Sequence, residues 1–209
     1  TITQNKMEVV CLYNGKDKIV KDSIHLDKEL FSAIATAGSR ASQKKSVDPM
    51  EIAIHSNYNA FVEGKTDEVL VKEYPLSKEL LAMTIVLKNT ETDELSVSCK
   101  GAPETIFKLC KLSDAEIEQH KTVLNDMAAS GLRVLGVANA SVGENNLPNA
   151  QHGFNFKFLG LIGLEDAIRP EVPSAVKECL EAGVRVVMIT GDFPVTAKSI
   201  AQQIGLDAE

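Results

Sequence analysis

Ser96-Val97-Ser98-Cys99-Lys100-Gly101-Ala102-Pro103-Glu104 is the stretch about which the chain is arranged. Leu95, Val97 and Cys99 alternate with Ser96, Ser98 and Lys100, the period-2 pattern of a half-buried strand. Gly101 allows the backbone to turn where a side chain would clash. Pro103 suits the first turn of a helix, where no N–H is needed, and the helix continues through Leu109. The pattern predicts one ammonium group at a strand end beside free helix N–H groups, a place that favours an anion such as phosphate. An exposed lysine before a turn gives the same spacing, so both readings stay open here.

Upstream, Met7–Tyr13 and Lys18–Ile24 read as strands joined at Asn14-Gly15. Asp27 caps an expected helix to about Ala37, and residues 38–47 form a polar loop. Asp48-Pro49-Met50-Glu51 opens a second helix, with Asp48 as N-cap and Glu51 placed for a capping box. Val69–Tyr74, Leu80–Lys88 and Leu95–Lys100 are strands, the last two a hairpin across Asn89–Glu94. Ser113-Asp114-Ala115-Glu116 is another capping box, its helix ends before Gly131, and Leu132–Ala140 is a strand. Residues 141–153 are polar and rich in Gly, Asn and Pro, the composition of a loop at a domain boundary.

Beyond residue 153 the pattern changes. Phe156–Leu164 and Val184–Ile189 are near-continuous apolar strands, followed by helices over 171–182 and 194–204. Strand-helix-strand-helix with apolar strands predicts a parallel sheet covered on both faces. The fold expected is α+β / α/β: an antiparallel sheet with flanking helices over residues 10–153, joined to a partial parallel sheet over residues 154–209 and beginning with residues 1–9.

Hydrophobic residues make up 44% of the chain and charged residues 24%, enough to build a packed core and to exclude disorder. A net charge of −7 excludes a broad nucleic-acid surface, so any phosphate site is local. The four cysteines show no Cys-x-x-Cys pairing and read as reduced thiols of a cytosolic compartment. No apolar run reaches membrane-spanning length, the four histidines offer no metal spacing, and no signal for an oligomeric state is visible.

Several residues carry two readings. Thr190-Gly191-Asp192 follows an expected strand and precedes a helix, where a hydroxyl and free N–H groups suit a phosphoryl oxygen; Asp192 is also a good N-cap. Asp166 and Arg169 can form an ion pair or line a site. Arg133 can hold two phosphate oxygens or occupy the wet face of a strand.

Lys100-Gly101-Ala102-Pro103-Glu104 resembles the nucleotide-domain signature of the P-type ATPases, the ATP-driven cation pumps. Asp48-Pro49-Met50-Glu51, Gly131-Leu132-Arg133-Val134-Leu135, Asp166-Ala167-Ile168-Arg169 and Met188-Ile189-Thr190-Gly191-Asp192 resemble further family segments in the family's order. The likeness covers essentially the whole chain and leans toward the calcium-pump group. It implies that Glu51 faces the adenine amino group, that Lys100, Gly101 and Arg133 hold ATP, that Asp166 and Arg169 lie near the phosphates, and that Thr190, Gly191 and Asp192 contact the transferred phosphoryl group. It implies a haloacid-dehalogenase-like character for the parallel sheet, ATP and Mg²⁺ as cofactors, and a cytoplasmic portion of an integral membrane protein.

Two departures from the family pattern stand out. Leu76 occupies the place of an adenine-stacking aromatic, and Leu81 that of a nucleotide-binding lysine, with Lys78 and Tyr74 nearby as substitutes. Thr1-Ile2-Thr3 resembles the tail of the phosphorylation motif Asp-Lys-Thr-Gly-Thr-Leu-Thr, which puts the phosphorylated aspartate four positions before Thr1 and most Mg²⁺ ligands beyond Glu209. The function expected is therefore that of an ATP-binding piece of a cation pump, inactive by itself, with the transported ion bound by membrane helices. A soluble phosphatase of the same superfamily with an inserted cap accounts for Thr190 but not for residues 100–104 and 48–51 together. A non-catalytic interaction module needs neither.

Overall fold

The computed structural model describes residues 2–20, 28–61, 67–142, 147–191 and 194–206. Along the chain come β1 (Thr3–Tyr13), β2 (Lys18–Val20), α1 (Lys28–Arg40), α2 (Pro49–Phe61), β3 (Glu68–Tyr74), β4 (Ala82–Asn89), β5 (Leu95–Gly101), α3 (Pro103–Leu109), α4 (Asp114–Ala129), β6 (Arg133–Ala140), a short 3-10 turn (Gln151–Gly153), β7 (Lys157–Ile168), α5 (Val172–Glu181) and α6 (Pro194–Gln203). The described strands form one sheet in the order β2-β1-β7-β6-β5-β4-β3, antiparallel throughout.

Local chemistry explains most of these elements. Asn14 turns β1 into β2 by accepting the Lys16 and Asp17 N–H groups on its side-chain oxygen, at 3.0 and 2.8 Å. Asn89 does the same between β4 and β5, accepting from Glu91 and Thr92 at 2.8 and 3.1 Å. Ser113 and Glu116 close the expected capping box at the start of α4. Gly101 is required by a close approach: a Cβ there would lie 2.3 Å from the Leu81 carbonyl oxygen, which instead accepts the Ala102 N–H at 2.8 Å.

Helices cover both faces of the sheet. Phe31 and Ile34 of α1 and Ile54 of α2 pack with Leu12, Val137, Ile162 and Leu164. Phe107 of α3 and Met127 of α4 pack with Tyr13, Leu132 and Leu161 on the other side. Leu161 and Ile162 are successive residues of β7, so they point to opposite faces. Burying a side chain of this size contributes about 1.5–3 kcal/mol.

Two expectations are corrected. Phe156–Leu164 belongs to an antiparallel strand, β7, hydrogen-bonded between β1 and β6. Its apolar run records burial on two faces, which a central strand of a doubly covered antiparallel sheet also has. Val184–Ile189 forms no strand, and Val184, Val187 and Ile189 are exposed. No described strand lies beside it, and an isolated strand has nothing to bond to. The described residues 147–153 are held against the sheet. The buried Gln151 accepts from Thr84 Oγ1 at 2.7 Å and donates to the Ala82 carbonyl at 3.0 Å, tying this segment to β4. The expected strand beyond Val20 and the cap Asp27 lie outside the described residues.

Candidate functional site

The expected site residues divide into a buried pair, an apolar cleft and a polar cleft. Lys100 belongs to the buried pair. Its side chain leaves β5 toward α1 and α2, is 9% exposed, and forms an ion pair with Glu51. The ammonium also donates to Ser42 Oγ at 2.6 Å, and Glu51 accepts the Gln43 N–H at 3.3 Å. Burial raises the Glu51 carboxyl, but hydrogen bonds from Lys100, Ser46 and Gln43 outweigh it and hold Glu51 below its ordinary value. Burial lowers the Lys100 ammonium, with Glu51 partly restoring it. Glu51 therefore does not serve the capping box expected of it. Asp48 alone caps α2, accepting the Met50 N–H at 2.7 Å.

The apolar cleft has a volume of ≈ 380 Å³, and neither Lys100 nor Glu51 lines it. Its walls include Met50 and Gly101, the sequence neighbours of Glu51 and Lys100, together with Leu76, Leu81, Ala102, Leu135 and Arg133. The polar cleft, ≈ 320 Å³, is lined by Thr3, Arg133, Asp166 and Thr190 among others. Arg133 and Thr196 line both clefts, so the two adjoin. Asp166 Oδ1 is buried without a hydrogen-bond partner, an unsatisfied acceptor that costs about 1–3 kcal/mol. Thr196 is buried and donates to the Leu132 carbonyl at 3.3 Å, which pins α6 to the start of β6.

Five expected residues, Leu76, Gly101, Arg133, Asp166 and Thr190, thus meet along two joined clefts. Others lie elsewhere. Lys78 is exposed and lines neither cleft. Tyr74 is buried, donates to the Pro148 carbonyl at 2.5 Å and packs edge-on against Phe154, so it cannot stack on a ligand in the cleft. Arg169 does not pair with Asp166: its Nε donates to the Thr3 carbonyl at 2.8 Å, closing the open end of β7 against β1. Gly191 is exposed at the end of the unpaired segment, and Asp192 lies outside the described residues. Cys99, next to Lys100, is no nucleophile, because burial pushes its thiol up to about 11. Met50, Ala102 and Leu135 lie inside the quoted motifs without having been singled out, and Thr196 lies outside all of them.

Comparison with known proteins gives this arrangement a family. The description "P-type ATPase, cytoplasmic domain N" matches residues 31–171. The chain belongs to the P-type ATPases. It is 34% identical over 173 residues to the sodium/potassium exporting P-type ATPase cta3 of Schizosaccharomyces pombe, covering 76% of this chain and 17% of that protein. It is 27% identical over 229 residues to a probable cation-transporting ATPase I of Mycobacterium leprae, covering 100% of this chain and 14% of that protein. The sodium/potassium-transporting ATPase subunit alpha of Hydra vulgaris is 27% identical over 259 residues, covering 100% of this chain and 25% of that protein. This chain therefore spans a quarter or less of the length of these three P-type ATPases. No described helix is long and apolar enough to cross a membrane.

Proposed function

We propose that this chain is the ATP-binding part of a P-type cation-transporting ATPase, a cytoplasmic portion of a longer membrane protein. The observation that carries the reading is the junction of an apolar and a polar cleft at Arg133. A nucleotide is built the same way, with a flat ring at one end and charged phosphates at the other. The base lies in the apolar cleft among Met50, Leu76, Leu81 and Leu135. The phosphates run past the Arg133 guanidinium toward Thr190 and Gly191.

Lys100 and Glu51 act from behind the wall. Their pair fixes β5 against α2 and so sets the spacing of Gly101 and Met50, which touch the ring. Asp166 faces the phosphate end, where a carboxylate repels phosphate directly and suits a cation carried on it. Among the described residues no group of three or more His, Cys, Asp or Glu forms a metal cage. Mg²⁺, when bound on the phosphates, would spread their charge, with Asp166 as the carboxylate facing it. The γ-phosphoryl passes to an aspartate that residues 1–209 do not supply, so this chain alone positions ATP without turning it over.

The transported ion is proposed only as a cation. The relatives above are named for sodium and potassium or for cations in general, and the calcium lean rests on resemblance alone. A haloacid-dehalogenase-like phosphatase leaves the family match over residues 31–171 without explanation. Calorimetric titration tests the proposal. ATP should bind, and Arg133→Ala should weaken it by about tenfold, roughly 1.4 kcal/mol. Unchanged affinity in that variant would remove Arg133 from the site and the proposal with it.

A further inference from the structure

We infer that the cavity between α1 and the neighbouring ends of β5 and β6 is a separate anion site, built for a phosphate-type oxyanion, free or as the monoester of a small polyol. The cavity has a volume of ≈ 340 Å³. It shares no lining residue with either cleft of the proposed nucleotide site, so the inference stands apart from ATP binding.

Two polar rows meet at this cavity. On β5, Ser96, Ser98 and Lys100 alternate with Val97 and Cys99, so the two serines share the face that carries Lys100 to Ser42 and Glu51. On α1, Ser32, Thr36 and Arg40 recur every four residues, which sets them along one side of the helix. Asn139 of β6 stands opposite Ser98 in the ladder. Apart from Lys100, the polar residues of both rows and Asn139 line the cavity. Elsewhere α1 meets the sheet through apolar side chains, Phe31, Ile34 and Ala35 among them.

The hydroxyls of β5 call for a partner. Ser96 Oγ is buried without a hydrogen bond, one of two such side-chain atoms among the described residues. Ser98, the next residue on that face, is 3% exposed. A buried hydroxyl left unpaired is unfavourable, and native chains rarely keep one without a use. Arg40 supplies the charge. It pairs with Glu68 through Nη2, and a guanidinium has five N–H donors, so others remain for a ligand. Among the described residues no Asp or Glu lines the cavity. Hydroxyls, an amide and a guanidinium without a carboxylate suit an acceptor-rich anion and offer no charge to a cation. The cavity is larger than one phosphate group, which leaves room for a small esterified group.

The test follows amide chemical shifts of the 209-residue chain during titration with inorganic phosphate, glycerol phosphate and glycerol at constant ionic strength. Thr36, Ser96, Ser98 and Asn139 should move along saturable curves with both phosphates and stay in place with glycerol. Tighter binding of glycerol phosphate assigns the site to a small organic phosphate; equal or tighter binding of inorganic phosphate assigns it to the free ion. Arg40→Gln should weaken binding by about tenfold or more. Ser96→Ala should weaken it by about threefold without lowering the melting temperature, because its hydroxyl has no partner in the protein. Arg133→Ala, outside the cavity, should leave the curves unchanged. Absence of saturable movement, equal movement with glycerol, or curves that Ser96→Ala leaves unaltered would overturn the inference. So would a loss in Arg133→Ala, which would put the anion in the polar cleft, or a fall in melting temperature in Ser96→Ala, which would make that hydroxyl structural.

Discussion

Residues 157–168 and residues 184–189 begin from the same kind of sequence and end in opposite states. Both contain a mostly apolar run, Phe158–Leu164 in the first and Val184–Ile189, interrupted by Arg185, in the second. In β7, Leu161, Ile162 and Leu164 are almost completely buried, with strands on both sides and helices on both faces. In the later segment, Val187 is 64% and Ile189 93% exposed, and no described strand lies alongside. The difference lies in the neighbours available, not in the residues themselves. An apolar run states that two faces want cover; it does not state which strands will bond to its edges. The same contrast divides the candidate site, whose apolar cleft is built on the sheet and whose polar cleft borrows one wall from the unpaired segment.

The largest effect should come from cutting the chain on either side of β7. The sequence places a boundary at residue 153, but a unit ending there lacks the strand that bridges β1 and β6. Residues 2–168 produced alone should melt cooperatively, whereas residues 10–153 should give a broad transition or none, as followed by circular dichroism. A sharp melt of residues 10–153 would mean that β7 is as dispensable as the later segment.

Next in size is the buried pair. Lys100→Met leaves Glu51 charged and without its ammonium partner, which should cost about 3–5 kcal/mol in denaturant unfolding. Adding Glu51→Leu should recover most of that loss, because two apolar side chains replace a pair that repaid little beyond its own desolvation. A still smaller, but cleaner, comparison sets one apolar residue from each region side by side. Ile162→Ala should cost about 2–5 kcal/mol, since it opens a cavity at the centre of the sheet. Val187→Ala should stay within about 0.5 kcal/mol, as exposed positions do. Equal losses would show that residues 184–189 have a packed partner after all.

These predictions mark where sequence alone is sufficient. Asn14, Asn89 and the Ser113–Glu116 box act on residues two or three positions away, so turn and cap chemistry shows them directly. Lys100 and Glu51 stand 49 positions apart, and each was legible only as a separate ligand candidate. Their mutual pairing needed the fold. Strand direction in β7 and the absence of a strand at 184–189 are likewise properties of neighbours. Of the cleft, the polar and glycine members stood out by type. Met50, Ala102 and Leu135 are ordinary apolar residues whose role comes from where the sheet puts them.

The smallest expected effect is one of pH and belongs to the sheet region alone. His120 is buried among Phe107, Phe158 and Tyr13, with Tyr13 Oη 3.0 Å from its Nδ1. Burial pulls its imidazole below the ordinary value, against a weaker opposing pull from Glu116. A depressed folded value means that the unfolded chain binds the proton first. Stability should therefore begin to fall as pH drops below about 6.5 and continue falling down to the folded value. Glu51, also depressed, adds its own loss only below about 4.3. Melting temperatures of His120→Gln should be flatter than those of the parent between pH 7 and 5 and parallel to them below; identical slopes would exclude His120 as the group responsible.

The central claim is that the apolar and polar clefts form one nucleotide site. Amide chemical shifts recorded during an ATP titration test it most directly, because they report on both clefts at once. Gly101 and Ala102 at the end of β5 and Thr190 in the segment after α5 should all move, along curves that fit a single dissociation constant. Movement of Thr190 alone, of Gly101 and Ala102 alone, or of the two groups with separate constants would contradict the account.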